Sequence, residues 1–245
     1  MIAGAGIGGL ALALALSRIG VYVEVLEQSH SLGEGGAGLQ LSPNAYGILK
    51  DWGLDDNYDL TLSSNFPASI QARDAATNEI LSELQLGTRA VDMYGANYAT
   101  MHRADLHKLL LNSVRKQPLL NIHRNAKIER TQDTSNGVKV SIERDDLTFE
   151  ADAMVGCDGL WSYTRQHVVG TDLPVATGHV AWRAMLPINM VPNDYRQDCV
   201  HAWMAPHMHI VAYPVRRGEF LNIVVVTEHD HPADTPSRQS WSRDA

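Results

Sequence analysis

The sequence predicts an α/β fold in which a layer of parallel strands and helices is interleaved with antiparallel sheet. The first observation is a short strand at 1–3 that runs directly into a glycine-rich turn and an apolar helix at about 8–20. The second is the β-branched segment 21–27, which is typical of a buried strand. The third is a change in the sequence pattern at 66–99 and again at 177–227, where strand-like segments separated by turns indicate pairs of antiparallel strands.

The elements between these segments continue the alternation. Ser42 and Pro43 favour the start of a helix, and Gly53 favours its end. Apolar residues recur at helical spacing over 103–116, and Asn136-Gly137 predicts a hairpin turn.

This alternation predicts two interleaved domains. We assign the helix-containing blocks 1–65 and 101–170 to one domain and the antiparallel blocks 66–100 and 171–230 to a second.

The composition is that of an ordinary globular protein and limits the classes of partner. Of 245 residues, 44% are hydrophobic, and the net charge is −8. Such an acidic chain repels phosphate backbones and anionic membranes, so we expect no nucleic-acid partner and no membrane partner. Two cysteines, Cys157 and Cys199, are too few for a disulfide framework. The apolar run 10–16 is too short to cross a bilayer. The N-terminus lacks the basic residues with which a secretory signal peptide begins. We therefore expect a cytoplasmic protein.

The glycine-rich turn fits a dinucleotide-binding motif. Gly4-Ala5-Gly6-Ile7-Gly8-Gly9 matches G-x-G-x-x-G between a strand and a helix, so a pyrophosphate would lie at the positive N-terminus of that helix. Glu27 ends the second strand, where a carboxylate accepts hydrogen bonds from an adenosine ribose. The arrangement indicates a Rossmann-like site for FAD or NAD. The alternative is a turn that needs glycine only for packing.

Two later motifs are informative. His102-Arg103-Ala104-Asp105-Leu106 opens a helix with an arginine, whose charge opposes the helix dipole unless an anion binds nearby. A strand is expected to end at Asp158, and Gly159 turns the chain into a short helix. Asp158 would then lie at the carboxyl edge of the sheet, where open α/β sheets bind ligands.

Together these residues resemble the class A flavin monooxygenases and are most similar to the salicylate and hydroxybenzoate hydroxylases. The matching segments are Gly4–Leu10, Glu27-Gln28, Gly36–Ala45, Arg103 with Asp105-Leu106, Asp158-Gly159 with Ser162 and Arg165, and Tyr213-Pro214-Val215 followed by Asn222. They follow the family's order along the whole chain.

The resemblance implies FAD as the cofactor, held by a Rossmann-like (GR2-type) layer beside a substrate-binding antiparallel sheet. It implies that the ADP half lies on Gly4, Ala5, Gly6, Ile7, Gly8 and Gly9 and on Glu27 with Gln28. It implies Arg103 along the pyrophosphate and ribityl chain, Asp158 and Arg165 at the second flavin motif, and Ala37 and Gly38 beside the isoalloxazine.

The reaction implied by the resemblance is the insertion of one oxygen atom of O2 into the ring of a small aromatic acid. NADH or NADPH would reduce the flavin, and a flavin C4a-hydroperoxide would supply the oxygen atom. A phenolate attacks such an electrophile better than a phenol does, so a base such as histidine is expected near the ring. A homodimer is a further family expectation.

His209 and Tyr213 are the candidate catalytic residues. They are four apart in a predicted strand and so face the same side, and the related hydroxybenzoate hydroxylases place a catalytic histidine four residues before a tyrosine. The alternative is that His209 is an ordinary polar-face residue. Metal pairs from His207 and His209, or from His229 and His231, lack an acid to complete them, so we expect no metal.

The family's third flavin motif begins with Gly-Asp, and this dipeptide is absent from the sequence. We therefore expect a hydroxylase truncated at its C-terminus, without the last part of the family fold. The alternatives are a non-catalytic flavin-binding remnant, a related flavin epoxidase or oxidoreductase of the same fold, and a simple NAD-binding domain. The antiparallel content after residue 170 disfavours the last of these.

Overall fold

A computed structural model describes residues 1–33, 37–55, 59–143, 147–170, 174–175 and 177–228. Within these residues no helix is both long enough and apolar enough to cross a membrane.

The fold consists of sixteen strands and six α-helices in the described part of the chain. The strands are β1 (Ile2–Ala3), β2 (Val23–Leu26), β3 (Gly38–Leu41), β4 (Ser64–Asn65), β5 (Ser69–Asp74), β6 (Ile80–Gln85), β7 (Ala99–His102), β8 (Leu120–His123), β9 (Ile128–Thr134), β10 (Gly137–Ile142), β11 (Thr148–Ala151), β12 (Val155–Gly156), β13 (His179–Pro187), β14 (Cys199–Ala205), β15 (Met208–Val215) and β16 (Phe220–Glu228). The helices are α1 (Ile7–Arg18), α2 (Pro43–Asp51), α3 (Asp59–Ser63), α4 (Thr88–Tyr94), α5 (Arg103–Arg115) and α6 (Tyr163–Val169).

The chain divides into two compact units. Of the described residues, the first comprises those within 1–33 and 110–175, and the second comprises those within 37–109 and 177–228. Both are discontinuous in sequence, as the interleaved pattern predicts. Residues 37–55, 59–65 and 101–109 lie in the second unit. The sequence assigns them, as parts of helix-containing blocks, to the same domain as the glycine turn, and that assignment stays a prediction.

The first unit contains a parallel sheet with strand order β12-β1-β2-β8. Its strands are short and apolar, and Ile2 aligns with Val25 on one side and Val155 on the other. Helix α1 contributes the buried Leu10 and Leu14 to the core. A three-stranded antiparallel sheet, β11-β10-β9, contains the hairpin predicted at Asn136-Gly137.

The second unit contains a six-stranded sheet with order β13-β16-β15-β14-β5-β6 and a three-stranded sheet with order β3-β7-β4. Aligned partners in a ladder share a face of the sheet. Val200, Tyr213 and Val215 form a buried cluster on one face, hereafter the Tyr213 face. Ala212 and Leu221 belong to a cluster on the opposite face.

Most element predictions are confirmed, with two local differences. Ser42 precedes α2 as predicted, but its hydroxyl hydrogen bonds to the side chain of Asn44 and not to a helix amide. Strand β12 ends at Gly156 and not at Asp158, because the amide of Cys157 makes the last bond to β1, at Ala3. Asp158 therefore belongs to a turn.

Candidate functional site

The glycine turn between β1 and α1 requires glycine at two positions. Gly4 has a φ of +97°, and a Cβ there would lie 2.5 Å from the carbonyl oxygen of Cys157. A Cβ on Gly9 would lie 1.9 Å from the carbonyl oxygen of Gly4. A Cβ on Gly8 would have no other atom within 4 Å. The turn is thus tightly packed on the protein side and open at Gly8.

Helix α1 begins at Ile7 with Gly6 as its N-cap, and no acidic residue lies in its first turn. The first amides of a helix have no intrahelical partner and carry the positive end of its dipole. This N-terminus therefore provides donors and positive potential suited to an anion.

Glu27 follows β2 and contacts the glycine turn directly. Its carboxylate accepts a hydrogen bond from the amide of Ala5 at 2.8 Å and a second from the amide of Ser29 at 2.7 Å. The neighbouring Gln28 is exposed. Glu27 therefore fixes the backbone of the turn, while its partly exposed position leaves it accessible to a ligand.

Asp158 fixes the start of α6. Its carboxylate accepts hydrogen bonds from Ser162 Oγ at 2.5 Å and from the amide of Thr164 at 3.0 Å. Partial burial favours a raised pKa for Asp158, but the hydrogen bonds from Ser162 and Thr164 outweigh it and hold the pKa below its usual range. Arg165 is half-buried and donates to the carbonyl of Leu160 at 3.2 Å.

The first unit therefore brings together the predicted ADP-binding residues and the second flavin motif. The glycine turn, Glu27 and the Cys157-Asp158 segment all follow the carboxyl ends of neighbouring parallel strands, β1, β2 and β12. In open α/β sheets this edge is where ligands bind.

In the second unit, the predicted flavin-approaching segment and Arg103 are adjacent. Gly38 aligns with His102 in the β3–β7 ladder, and the amide of Arg103 donates to the carbonyl of Ala37 at 2.8 Å. Arg103 is exposed at the first position of α5. Gly36, the first residue of the matched segment, lies outside the described residues.

Gly38 also contacts the strands that carry the candidate catalytic residues. Its amide donates to Asn222 Oδ1 at 2.7 Å. A Cβ on Gly38 would lie 2.6 Å from Asn222 Cγ and 2.7 Å from Tyr213 Cε2, so only glycine fits between these side chains. The segment matched to the flavin ring therefore lies directly against Tyr213.

Tyr213 is buried in an apolar cluster, with the polar side chains of Gln40 and Asn222 beside it. The hydroxyl of Tyr98 donates to Gln40 Oε1, and Gln40 also interacts with Tyr213. Burial raises the pKa of Tyr213 to about 12, although Gln40 opposes the rise. Tyr213 therefore remains protonated at neutral pH and can act as a hydrogen-bond donor.

His209 lies at the open end of the same face. It aligns with Met204 on β14 and Val226 on β16, and its side chain is half-buried. The predicted shared orientation of His209 and Tyr213 follows from their spacing in β15. The alternative metal-ligand pair His229 and His231 lies outside the described residues.

Sequence reasoning did not assign site roles to Asn222, Gln40 or Tyr98. Gln40 and Asn222 stood within matched segments, so their positions were available, but their contacts depend on pairings across more than 50 residues. No local pattern encodes such pairings.

Comparison with known proteins identifies the family. The family model described as FAD binding domain matches residues 1–245. The chain belongs to this FAD-binding domain family. This agrees with the resemblance to class A FAD-dependent aromatic hydroxylases that the sequence motifs carry.

Relatives of this FAD-binding domain include named hydroxylases. The 3-hydroxybenzoate 6-hydroxylase of Klebsiella oxytoca is 35% identical over 225 residues, which cover 92% of this chain and 56% of that protein. The 6-hydroxynicotinate 3-monooxygenase of Bordetella bronchiseptica is 31% identical over 229 residues, which cover 93% of this chain and 58% of that protein. The chain thus spans a little over half the length of the curated relatives it matches.

Solved structures share the fold of this FAD-binding domain. Klebsiella pneumoniae HpxO complexed with FAD and uric acid superposes with a TM-score of 0.77 at 21% identity, covering 98% of this chain and 59% of that one. The 2,6-dihydroxypyridine-3-hydroxylase from Arthrobacter nicotinovorans gives a TM-score of 0.75 at 24% identity, covering 95% of this chain and 57% of that one. The predicted α/β architecture with interleaved antiparallel sheet is thereby confirmed.

Proposed function

We propose that this chain contributes the FAD-binding and substrate-facing parts of a monooxygenase that hydroxylates a small phenolic acid with NADH or NADPH and O2. The observation that carries the proposal is the contact of Gly38 with Tyr213 and Asn222. In this contact, the segment that the family resemblance assigns to the flavin ring lies against the strand that carries the candidate catalytic residues. The relatedness to 3-hydroxybenzoate 6-hydroxylases supports an aromatic acid as substrate.

The residues of the first unit fit the ADP half of FAD. The open space above Gly8, the acid-free first turn of α1 and the backbone-bound carboxylate of Glu27 suit a pyrophosphate followed by a ribose. In the second unit, Ala37, Gly38 and Arg103 form one hydrogen-bonded group for the remainder of the cofactor. When bound and reduced, FAD would activate O2 for the transfer of one oxygen atom to the aromatic ring.

The residues of β15 would prepare the substrate. A ring nitrogen of His209 would accept the phenolic proton and so raise the nucleophilicity of the ring. Tyr213, kept protonated by burial, would donate a hydrogen bond that orients the substrate oxygen. The buried contacts around Tyr213 would exclude water from that end of the site.

The first experiment is a visible absorption spectrum of the purified protein with FAD titration. Stoichiometric FAD binding is expected, together with NADH or NADPH oxidation that 3-hydroxybenzoate stimulates. A protein that does not bind FAD would contradict the proposal.

The variant His209→Gln tests the base. It should retain FAD and lower the turnover number by about 10²- to 10⁴-fold, the usual contribution of a general base. His207→Gln is the matched control, because His207 is exposed and bound to Glu228. Equal effects of the two changes would remove His209 from the mechanism.

A further inference from the structure

His102 lies at the junction of strand β7 and helix α5, directly before Arg103. It is the last residue of β7, where it aligns with Gly38 of β3, and it is only 5% exposed. Helix α5 begins at the next residue. A buried histidine therefore stands between the segment that the family resemblance assigns to the flavin ring and the helix turn that carries Arg103.

The imidazole of His102 caps this helix. Its Nδ1 accepts a hydrogen bond from the amide of Ala104 at 3.2 Å, the bond that an N-cap side chain makes with the second residue of a helix. The first amides of a helix have no intrahelical partner, so this bond satisfies one of them. Nδ1 can accept only while it carries no proton, which places the proton of the neutral imidazole on Nε2.

The surroundings of His102 oppose its protonation. A positive charge here would add to that of Arg103 at the positive end of the helix dipole. Asp105 Oδ1 lies 4.0 Å from Nδ1, but both oxygens of this carboxylate accept hydrogen bonds from Arg216. Burial and the charge of Arg216 lower the pKa of His102, while Asp105 opposes them. Strands β3 and β4, which flank β7, contain no charged residue.

The cap has a direct consequence for Arg103. The amide of Arg103 donates to the carbonyl of Ala37 at 2.8 Å, so the first residue of α5 is joined to the Ala37-Gly38 segment. Without the cap, the first turn of the helix would lose one of the bonds that satisfy its free amides and would fray more easily. The direction of the guanidinium relative to Ala37 would then no longer be fixed.

We propose that His102 is a positioning residue for FAD binding, because its unprotonated Nδ1 caps α5 and so holds Arg103 in the orientation that contacts the cofactor. This rests on the proposed function, of which the contact between Arg103 and FAD is a part. His102 acts through Arg103 and not by touching FAD itself. Since the pKa of His102 is lowered from 6.5, FAD affinity should be constant above pH 6.5 and should fall as the pH decreases below it.

The first test separates the cap from the imidazole. The FAD-free protein is titrated with FAD between about pH 8 and about pH 5.5, and binding is followed by flavin fluorescence. At the upper pH, His102→Ala should weaken FAD binding about 3- to 30-fold, the range that corresponds to a lost N-cap, and the difference from wild type should shrink as the pH falls. His102→Asn should keep wild-type affinity at the upper pH within about twofold and remove the decrease below pH 6.5, because asparagine caps a helix without titrating.

His207→Asn is the matched control, since His207 is exposed and bound to Glu228. It should reproduce the wild-type affinity throughout the pH range. A His102→Asn variant that binds FAD as weakly as His102→Ala, or that retains the decrease at low pH, would overturn the positioning role.

The second test asks whether His102 acts through Arg103. In a double-mutant cycle, His102→Ala should change FAD affinity by less than about twofold once Arg103→Ala is present. Independent losses from the two changes would overturn the positioning role while leaving the proposed function intact. A wild-type protein that does not bind FAD would instead overturn the proposed function, and the role of His102 with it.

Discussion

His201 is a buried side chain whose polar atoms are unsatisfied. It is 1% exposed, and neither ring nitrogen has a hydrogen-bond partner. Its ring lies 5.8 Å from that of Tyr195 and 5.3 Å from that of Trp203, between centroids. Burial, with a further contribution from the guanidinium of Arg73, lowers the pKa of His201. The aromatic contacts therefore favour a ring here, whereas the nitrogens carry a desolvation cost.

We predict that His201→Phe stabilises the protein and flattens its pH dependence. Removing two unpaired nitrogens should raise the free energy of unfolding by about 1 kcal/mol. The folded pKa of His201 lies below the ordinary 6.5, so the unfolded chain binds the proton first as pH falls, and stability is lost from pH 6.5 downward. Urea unfolding at several pH values should show that the variant loses less stability over this range.

His30→Phe provides the control, since His30 is exposed. It should leave the pH dependence unchanged. A variant at His201 that is less stable than the parent would indicate a role for the imidazole that these contacts do not include.

The glycine turn gives a second prediction, from two adjacent residues. Gly9→Ala forces its Cβ against the carbonyl oxygen of Gly4 and should cost about 2 kcal/mol or more of stability, as overpacking does. Gly8→Ala meets no atom within 4 Å and should be neutral or slightly stabilising, because alanine favours a helix. Urea midpoints of the FAD-free proteins measure both, and equal midpoints would contradict the turn geometry.

The sequence predicts the residues of the candidate site better than it predicts the contacts between them. The glycine spacing and the strand-end acid could be read locally, because a turn, a helix N-terminus and a carboxylate act over a few residues. The contact of Gly38 with Asn222 joins positions 184 apart in the chain, and the alignment of Tyr213 with Asn222 and Met185 depends on the register of three strands. Neither leaves a periodic signal in the sequence.

At the scale of elements, the turn between β15 and β16 is tied to the start of α5. Arg216 donates from Nε to Asp105 Oδ2 at 2.8 Å and from Nη2 to Asp105 Oδ1 at 2.9 Å. Thr100 Oγ1 donates to the carbonyl of Pro214 at 2.5 Å. These bonds hold the end of β15 against β7 and the helix turn that begins with Arg103.

We predict a measurable coupling between Asp105 and Arg216. A double-mutant cycle with Asp105→Asn and Arg216→Gln should give about 1 kcal/mol, near the upper end for partly exposed pairs, because the contact is bidentate. The single-bond pair Lys139–Glu150, at 3.3 Å and more exposed, should give less. Coupling no larger than that of the control pair would show that the bidentate geometry does not persist in solution.

Element type was largely predictable, and element ends were less so. The β-branched runs and the apolar face of α5 specify strands and a helix through local periodicity. The end of β12 depends instead on the length of β1, which supplies the last hydrogen-bond partner at Ala3. The position of Asp158 in a turn follows from that partner.

At the scale of the whole molecule, each unit is assembled from distant parts of the chain. The glycine turn and Asp158 are about 150 residues apart but belong to the first unit, and Ala37 and Tyr213 belong to the second. The stability of each unit therefore depends on contacts of high sequence separation, which are slow to form during folding.

We predict that FAD stabilises this chain far more than FMN does. A ligand that binds only the folded state at 100 times its dissociation constant adds about 2.7 kcal/mol. FMN lacks the adenosine part, so the proposed contacts with Glu27 and much of the glycine turn would be lost. Thermal unfolding with each flavin measures the difference. An equal rise in Tm would assign the binding energy to the second unit and contradict the proposed ADP site.

The alternation of side chains along β15 has a consequence for protein engineering. Positions 209, 211 and 213 point to one face and 210 and 212 to the other, so a single-codon deletion within the strand would exchange the two sets. Mutant libraries aimed at altered substrate range should therefore randomise the odd-numbered positions and preserve strand length, while position 38 should stay fixed as glycine. Insertions and deletions should be confined to the turns, where they do not change which side chains of the strand point to each face of the sheet.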